Sequence, residues 1–130
     1  MSVPTEHFGS HVIHRLRNEP LGLLEFYLRK GPLEGTPADL AVALIKLFKL
    51  SDADKAALRQ VFASIIDQSI QGFLHALDEA TNIENDLRVT YGKDKEPLSN
   101  GDGAFERDLQ QWHKEFDVDH DEGNLEPPAG

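Results

Sequence analysis

The stretch SDADKAALRQVFASIIDQSIQGFLHALDE, residues 51–79, decides the fold of this chain. Its apolar residues recur every three or four positions, which is the spacing of one face of an α-helix. Acidic residues near its start suit the positive end of the helix dipole, and Ser51 fits the capping position before them. We therefore predict a long central helix with one broad buried face, formed by Leu58, Val61, Phe62, Ile65, Ile66, Ile70, Phe73, Leu74 and Leu77.

Shorter helices are predicted on both sides of this segment. Apolar residues at helical spacing mark a first helix over about residues 5–17, and Asn18 followed by Pro20 is typical of the capped start of a second. Gly31 predicts the end of that helix, and Thr36 predicts the capped start of a third. The last helix is predicted from an apolar stripe at spacings of four, three and four: Phe105, Leu109, Trp112 and Phe116.

Residues 87–98 break the helical pattern. Leu87, Val89 and Tyr91 occupy alternate positions and a glycine-containing turn follows, so we expect a short β-hairpin. Residues 117–130 are acidic, carry Pro and Gly and have few apolar side chains, which predicts a disordered tail. The predicted fold is mainly α: one compact domain over residues 1–116, with four to five helices around the central helix.

The charge of the chain is divided unevenly. Residues 1–77 hold 8 acidic and 8 basic side chains, whereas residues 78–130 hold 15 acidic and 5 basic, so the whole net charge of −10 lies after Leu77. Such an acidic surface attracts basic proteins and repels nucleic acid and anionic membranes. The N-terminus lacks the features of a secretory signal, and no run approaches the about 20 apolar residues of a membrane span. We expect a cytoplasmic protein that binds neither nucleic acid nor membrane.

Acidic residues after Leu77 form the predicted binding surface. The sequence contains no nucleotide-binding, nucleophile-elbow or zinc-protease motif and no cysteine, so we expect a protein-binding domain that is not an enzyme and holds no cofactor. Tryptophan is enriched at binding hot spots, although the helical stripe of Trp112 also permits a core position. The predicted partner-binding residues are Asp78, Glu79, Glu84, Asp86, Glu106, Asp108 and Trp112.

Histidines offer an alternative function. His7, His11 and His14 share one face of a helix at i, i+4 and i+7, and two histidines at i, i+4 can bind a divalent metal, although a solvated helix face has the same pattern. This alternative is a metal-binding enzyme or regulator. A histidine between carboxylates on the central helix could also transfer protons, unless this stripe is simply solvated. That stripe consists of Asp67, Gln71, His75 and Asp78.

Two segments of the chain resemble small acidic bacterial proteins of the immunity type, which neutralise a cognate toxin by direct binding. They are DQSIQGFLHALDE over Asp67–Glu79 and the closing LSNGDG…WHKEF over Leu98–Phe116. The resemblance implies an inhibitor that covers the active site of a toxin. A nucleic-acid-targeting toxin presents a basic cleft, to which an acidic inhibitor is steered electrostatically. A further alternative is a structural subunit that forms a homodimer through exposed apolar helix faces.

Overall fold

The computed structural model describes residues 3–80, 90–91, 96–97 and 104–118. Within these ranges the fold is mainly helical and is organised around one long helix, as predicted. In chain order the elements are α1 (Val3–Ile13), a π-helical turn (His14–Asn18), α2 (Glu19–Lys30), α3 (Ala38–Phe48), α4 (Asp52–Ala80), β1 (Thr90–Tyr91), β2 (Glu96–Pro97) and α5 (Ala104–Phe116). Because α1, the π-helical turn and α2 form one continuous rod, the described residues contain four separate helical rods.

The start of α2 differs from the prediction. Asn18 does not cap a new helix: its backbone is helical (φ −65°, ψ −45°) and its side chain makes no capping bond there. Pro20 has no N–H, and its ring crowds the carbonyl of Leu16 one turn earlier. The chain widens instead into a π turn, in which the amide of Glu19 donates to the carbonyl of His14. Helix α1 therefore continues through the π turn into α2.

The side chain of Asn18 joins the two ends of the domain. It is buried, its Nδ2 donates to the carbonyl of Phe116 at 2.7 Å, and its Oδ1 accepts from the amide of Val118 at 3.1 Å. These bonds satisfy backbone groups at the C-terminal end of α5, which the helix itself leaves unpaired. Asp117, placed in the predicted tail, forms an ion pair with Arg17, whose Nε lies 3.5 Å from Oδ1 of Asp117. The tail prediction for residues 119–130 lies outside the described residues.

The core lies where α1, the π turn, α4 and α5 meet. Trp112 and Phe105 are fully buried, and the ring of Phe8 packs on both, with centroids 5.9 and 4.9 Å away. Gly9 permits this packing, because a Cβ built there would lie within 2.5 Å of Cδ1 of Trp112. The stripe predicted for α5 is confirmed as core. The buried members of the cluster are Val12, Ile13, Ile66, Ile70, Leu74, Phe105, Leu109 and Trp112.

A charged cluster ties α2 to α4. Glu25 is 4% exposed and accepts two bonds from Arg59, from Nε at 2.6 Å and from Nη2 at 2.8 Å. Arg29, one turn later on α2, reaches the same carboxylate through Nε at 2.5 Å. Two guanidinium groups therefore compensate one buried carboxylate, an arrangement in which loss of the carboxylate is costly.

The connections around α3 follow the predicted turn chemistry in part. Gly31 ends α2 with φ 79°, and the hydroxyl of Ser51 accepts from the amide of Asp54 at the start of α4, as predicted. Thr36 does not cap α3. Its hydroxyl donates to the carbonyl of Leu33 at 2.6 Å, and Pro37 precedes the first helical residue instead. Helix α3 then packs on α2.

The predicted hairpin region contains a short antiparallel ladder. Thr90 pairs with Pro97 and Tyr91 with Glu96, within the range 87–98. Among the described helices, none has the length and apolar character needed to cross a membrane.

Candidate functional site

Asp78, predicted to contact a partner, is buried in the domain. It is 4% exposed, and its Oδ2 accepts from the amide of Glu106 at 3.4 Å. A carboxylate in this position accepts from an otherwise unpaired N–H in the first turn of α5, and its negative charge interacts favourably with the positive end of the helix dipole. Asp78 thus orients α5 on α4 and is not available to a partner in this structure.

Trp112 is also withdrawn from the surface. It is fully buried between Phe8, Phe105 and the backbone of Gly9. The partner-anchor interpretation of Trp112 is therefore wrong, and the core interpretation is confirmed. The physical reason is that the indole fills the gap left by a glycine on α1, which the spacing within α5 alone does not reveal.

His75 joins two acidic residues of the predicted surface. Its Nδ1 lies 2.5 Å from Oε1 of Glu106 on α5, and its Nε2 lies 3.0 Å from Oε1 of Glu79 one turn later on α4. The hydrogen bond and charge of Glu106, followed by the charge of Glu79, raise the pKa of His75 above its ordinary value. Glu106 and Glu79 are thus partly neutralised whenever His75 is protonated.

The acidic surface that remains is smaller than predicted. Glu79 is exposed, Asp108 is half-buried on α5, and the predicted contacts Glu84 and Asp86 lie outside the described residues. The polar stripe of α4 also has a structural use, since Asp67 accepts from Nε of Arg17 on the π turn at 2.9 Å. Part of this stripe therefore holds other elements against α4 instead of facing solvent.

An open groove of about 560 Å³, with a mixed polar and apolar lining, runs between α4 and α5. Leu109 contributes apolar surface to it, and His113 lines its side with Nδ1 2.9 Å from Oδ1 of Asp117. The hydroxyl of Ser64 also lines the groove and accepts a hydrogen bond from Nε2 of Gln68 at 3.3 Å. Amides and carboxylates are part of the lining, so the groove can hydrogen-bond a polar group. Its remaining lining residues are Gln60, Ala63, Asp67, Gln71 and Gln110.

The three N-terminal histidines do not form a metal centre in the described part of the chain. His7, His11 and His14 are exposed, and no group of three metal-ligating side chains comes together among the described residues. His14 opens the π turn, so the α-helical register behind the i, i+7 spacing ends at Ile13. His14 lies instead 3.5 Å from Glu19.

Helix α4 carries a second apolar stripe that faces solvent. Val61 and Ile65, predicted to be buried, are 56% and 55% exposed, and Phe73 is also exposed. Ile66 and Ile70 are buried as predicted, because the helices that pack on α4 cover the side on which these residues lie. The sequence contained a signal for this: apolar positions 61 and 65 and positions 66 and 70 occupy different parts of the helix circumference.

Helix α3 exposes apolar side chains in the same way. Leu44 is buried, whereas Leu40, Val42, Ile45 and Phe48 are 39–56% exposed. Three of the exposed residues follow one another three positions apart, which places them along one side of the helix. We call the exposed set the α3–α4 apolar surface; its members are Leu40, Val42, Ile45, Phe48, Val61 and Ile65.

The end of α3 lies beside the start of α4. Phe48 ends α3, and Nζ of Lys55, in the first turns of α4, lies 5.1 Å from the centre of its ring. A cation over an aromatic face is attracted by the ring quadrupole. This contact holds the end of α3 beside the start of α4.

Comparison with protein families, with curated proteins and with solved structures finds no match to this chain.

Proposed function

We propose that this chain is a non-enzymatic protein-binding domain that contacts its partner through the α3–α4 apolar surface. The observation that carries the proposal is the exposure of six large apolar side chains on two successive helices. Scattered single apolar residues are normal on protein surfaces, whereas concentrated ones mark interaction sites. Burying one half-exposed side chain of this size against a partner contributes about 1 kcal/mol.

The balance of acidic and basic residues also favours partner contact through the α3–α4 apolar surface. Residues 1–77, which include α3 and most of α4, hold 8 acidic and 8 basic side chains. A partner that docks on this half therefore meets no net charge, and apolar contact can dominate the interface.

The test compares binding by variants that place a charge on this surface. In Val42→Glu/Ile45→Glu the two side chains are already exposed, so we expect the fold to remain and the helical circular dichroism to be unchanged. Leu16→Glu is the matched control, because Leu16 is 40% exposed on the π turn and does not belong to the α3–α4 apolar surface. We expect the double variant to lose binding partners that the wild type and the control both retain. Equal retention by all three proteins would refute the proposed surface.

A second candidate is the toxin-inhibiting function that the immunity-type resemblance implies. The observation that favours it is the segregation of charge, with 15 acidic and 5 basic residues after Leu77. Glu79 is exposed at the end of α4 and Asp108 is partly exposed on α5, and both are unaffected by the burial of Asp78 and Trp112. An acidic inhibitor of a basic cleft associates quickly because of electrostatic steering.

Neutralising the exposed acidic residues tests this candidate. We expect Glu79→Gln/Asp108→Asn to slow association with a basic partner and to reduce its dependence on salt, measured by stopped-flow or surface plasmon resonance. Glu34→Gln is the control, since Glu34 is exposed in the neutral half of the chain. An unchanged association rate in the double variant would count against an acidic contact surface at these residues.

A further inference from the structure

The charges beside the α3 apolar stripe are complementary to a copy of themselves. Asp39 lies in the first turn of α3, and Lys46 and Lys49 lie at its C-terminal end; all three are exposed. Between them run the exposed Val42 and Ile45. If two α3 helices lie antiparallel, the acidic end of each meets the basic end of the other, and their dipoles are opposed, which is favourable. A parallel pair would place like charges together.

We infer that the partner of the α3–α4 apolar surface is a second copy of this chain, with the two α3 helices antiparallel across a twofold axis near Val42 and Ile45. A twofold interface uses the same patch on both copies, and this patch is self-complementary in both charge and apolar character. The inference rests on the proposed function and names the partner of the same surface.

The six exposed apolar side chains supply part of the area that a dimer interface needs. The six half-exposed side chains of the surface offer roughly 500 Å², against about 800 Å² per partner in a standard interface. The stems of the flanking lysines add apolar area to the rim. Repulsion between two chains of net charge −10 is limited, because that charge lies after Leu77 and the surface lies in the neutral half.

Mass measurement on the full chain tests self-association. We expect light scattering to give twice the single-chain mass of 14.5 kDa at high concentration and a fall toward that mass on dilution. Val42→Glu/Ile45→Glu should shift the midpoint of this transition at least tenfold to higher concentration, which corresponds to about 1.4 kcal/mol or more. The control Leu16→Glu should leave the midpoint unchanged.

Single cysteines test the antiparallel arrangement, because the wild-type chain has none. Val42→Cys places two thiols close to the twofold axis, and a short bifunctional maleimide should join them. Lys49→Cys lies farther along the helix, so at a rise of about 1.5 Å per residue its two copies stand about 16 Å apart. We expect efficient cross-linking at residue 42 and little at residue 49. Equal cross-linking at both would overturn the antiparallel pairing.

Other outcomes separate this inference from the function on which it rests. A wild-type chain that stays at 14.5 kDa at every concentration overturns the second copy as partner. The proposed function survives that result if Val42→Glu/Ile45→Glu abolishes binding of a different protein that the wild type and Leu16→Glu retain. Binding to uncharged phosphatidylcholine vesicles that the double variant loses would make lipid the occupant and would overturn both proposals. A double variant identical to wild type in all three assays would also overturn both.

Discussion

Replacing Gly9 by alanine tests the packing that places α5 in this domain. In an exposed helix this change would stabilise the protein by about 1 kcal/mol, because alanine has the higher helix propensity. Here the new Cβ would lie 2.5 Å from Cδ1 of Trp112 and closer still to Nε1 and Cε2. Ordinary carbon contacts lie at about 3.5–4.0 Å, so α1 or the indole has to move by about 1 Å.

The expected result is a net loss of stability on Gly9→Ala. Overpacking a filled core costs about 1–3 kcal/mol, and here the clashing group is a fully buried ring instead of a flexible chain end. After subtraction of the helix-propensity gain we expect the free energy of unfolding to fall by about 1 kcal/mol. Gly72 is the matched control, because it is exposed on α4 and a Cβ built there has nothing within 4 Å. Gly72→Ala should raise the free energy of unfolding by up to about 1 kcal/mol.

Urea unfolding, followed by helical circular dichroism and by the fluorescence of Trp112, measures both variants. The urea dependence of the free energy should be unchanged, so that a shift of the midpoint reports stability. The double variant Gly9→Ala/Trp112→Leu should lose less stability than the sum of its single changes, since the smaller side chain removes the overlap. If Gly9→Ala were as stable as Gly72→Ala, the close contact between α1 and Trp112 would be refuted.

Three further changes test other contacts. Glu25→Ala should lower the free energy of unfolding by about 3 kcal/mol in urea titration, because two guanidinium groups lose a shared buried carboxylate. Glu25→Gln should lower it by less. Equal stability of wild type and Glu25→Ala would show that the cluster is not stabilising. Asn18→Ala should cost about 2 kcal/mol by the same assay, because two backbone groups at the end of α5 lose their partners, and a loss below about 0.5 kcal/mol would contradict the clamp. His75→Gln should destabilise the protein near pH 5.5 but not near pH 9. The pKa of His75 is raised in the folded state, so the stability that its protonated form contributes is fully present below the unfolded pKa of 6.5 and disappears as the pH rises through the folded pKa. An NMR titration that gives His75 a pKa at or below 6.5 would contradict the pairing with Glu106.

The local signals in the sequence were sufficient for most of the fold. The spacing of Ile66, Ile70 and Leu74 predicted the buried face of α4, and Gly31 predicted the end of α2. These features depend on backbone conformation and on periodicity, which neighbouring residues specify. Asn18 misled the prediction, because the same side chain can cap its own helix or bind the end of another one that is distant in the chain.

The binding surface was harder to predict than the fold. Asp78 was expected to contact a partner, yet it accepts a hydrogen bond from a backbone amide in the first turn of α5. Trp112 was expected either at the partner-binding surface or in the core, and it fills the space beside Gly9 in the core. Val61 and Ile65 were expected in the core, yet they face solvent. In each case the outcome depends on which elements pack together. The helical spacing separates residues 61 and 65 from residues 66 and 70 on the circumference of α4, but it does not specify which side another helix covers.

The sequence by itself determined that the protein is mainly helical, where its long central helix lies, and that its net negative charge comes from the residues after Leu77. The tertiary structure alone decided which of two apolar stripes on α4 is covered and which acidic residues remain on the surface. The physical reason is that helix formation and net charge follow from residues close in the chain. Burial depends instead on contacts between residues as distant as Gly9 and Trp112, which are defined only once the helices have packed.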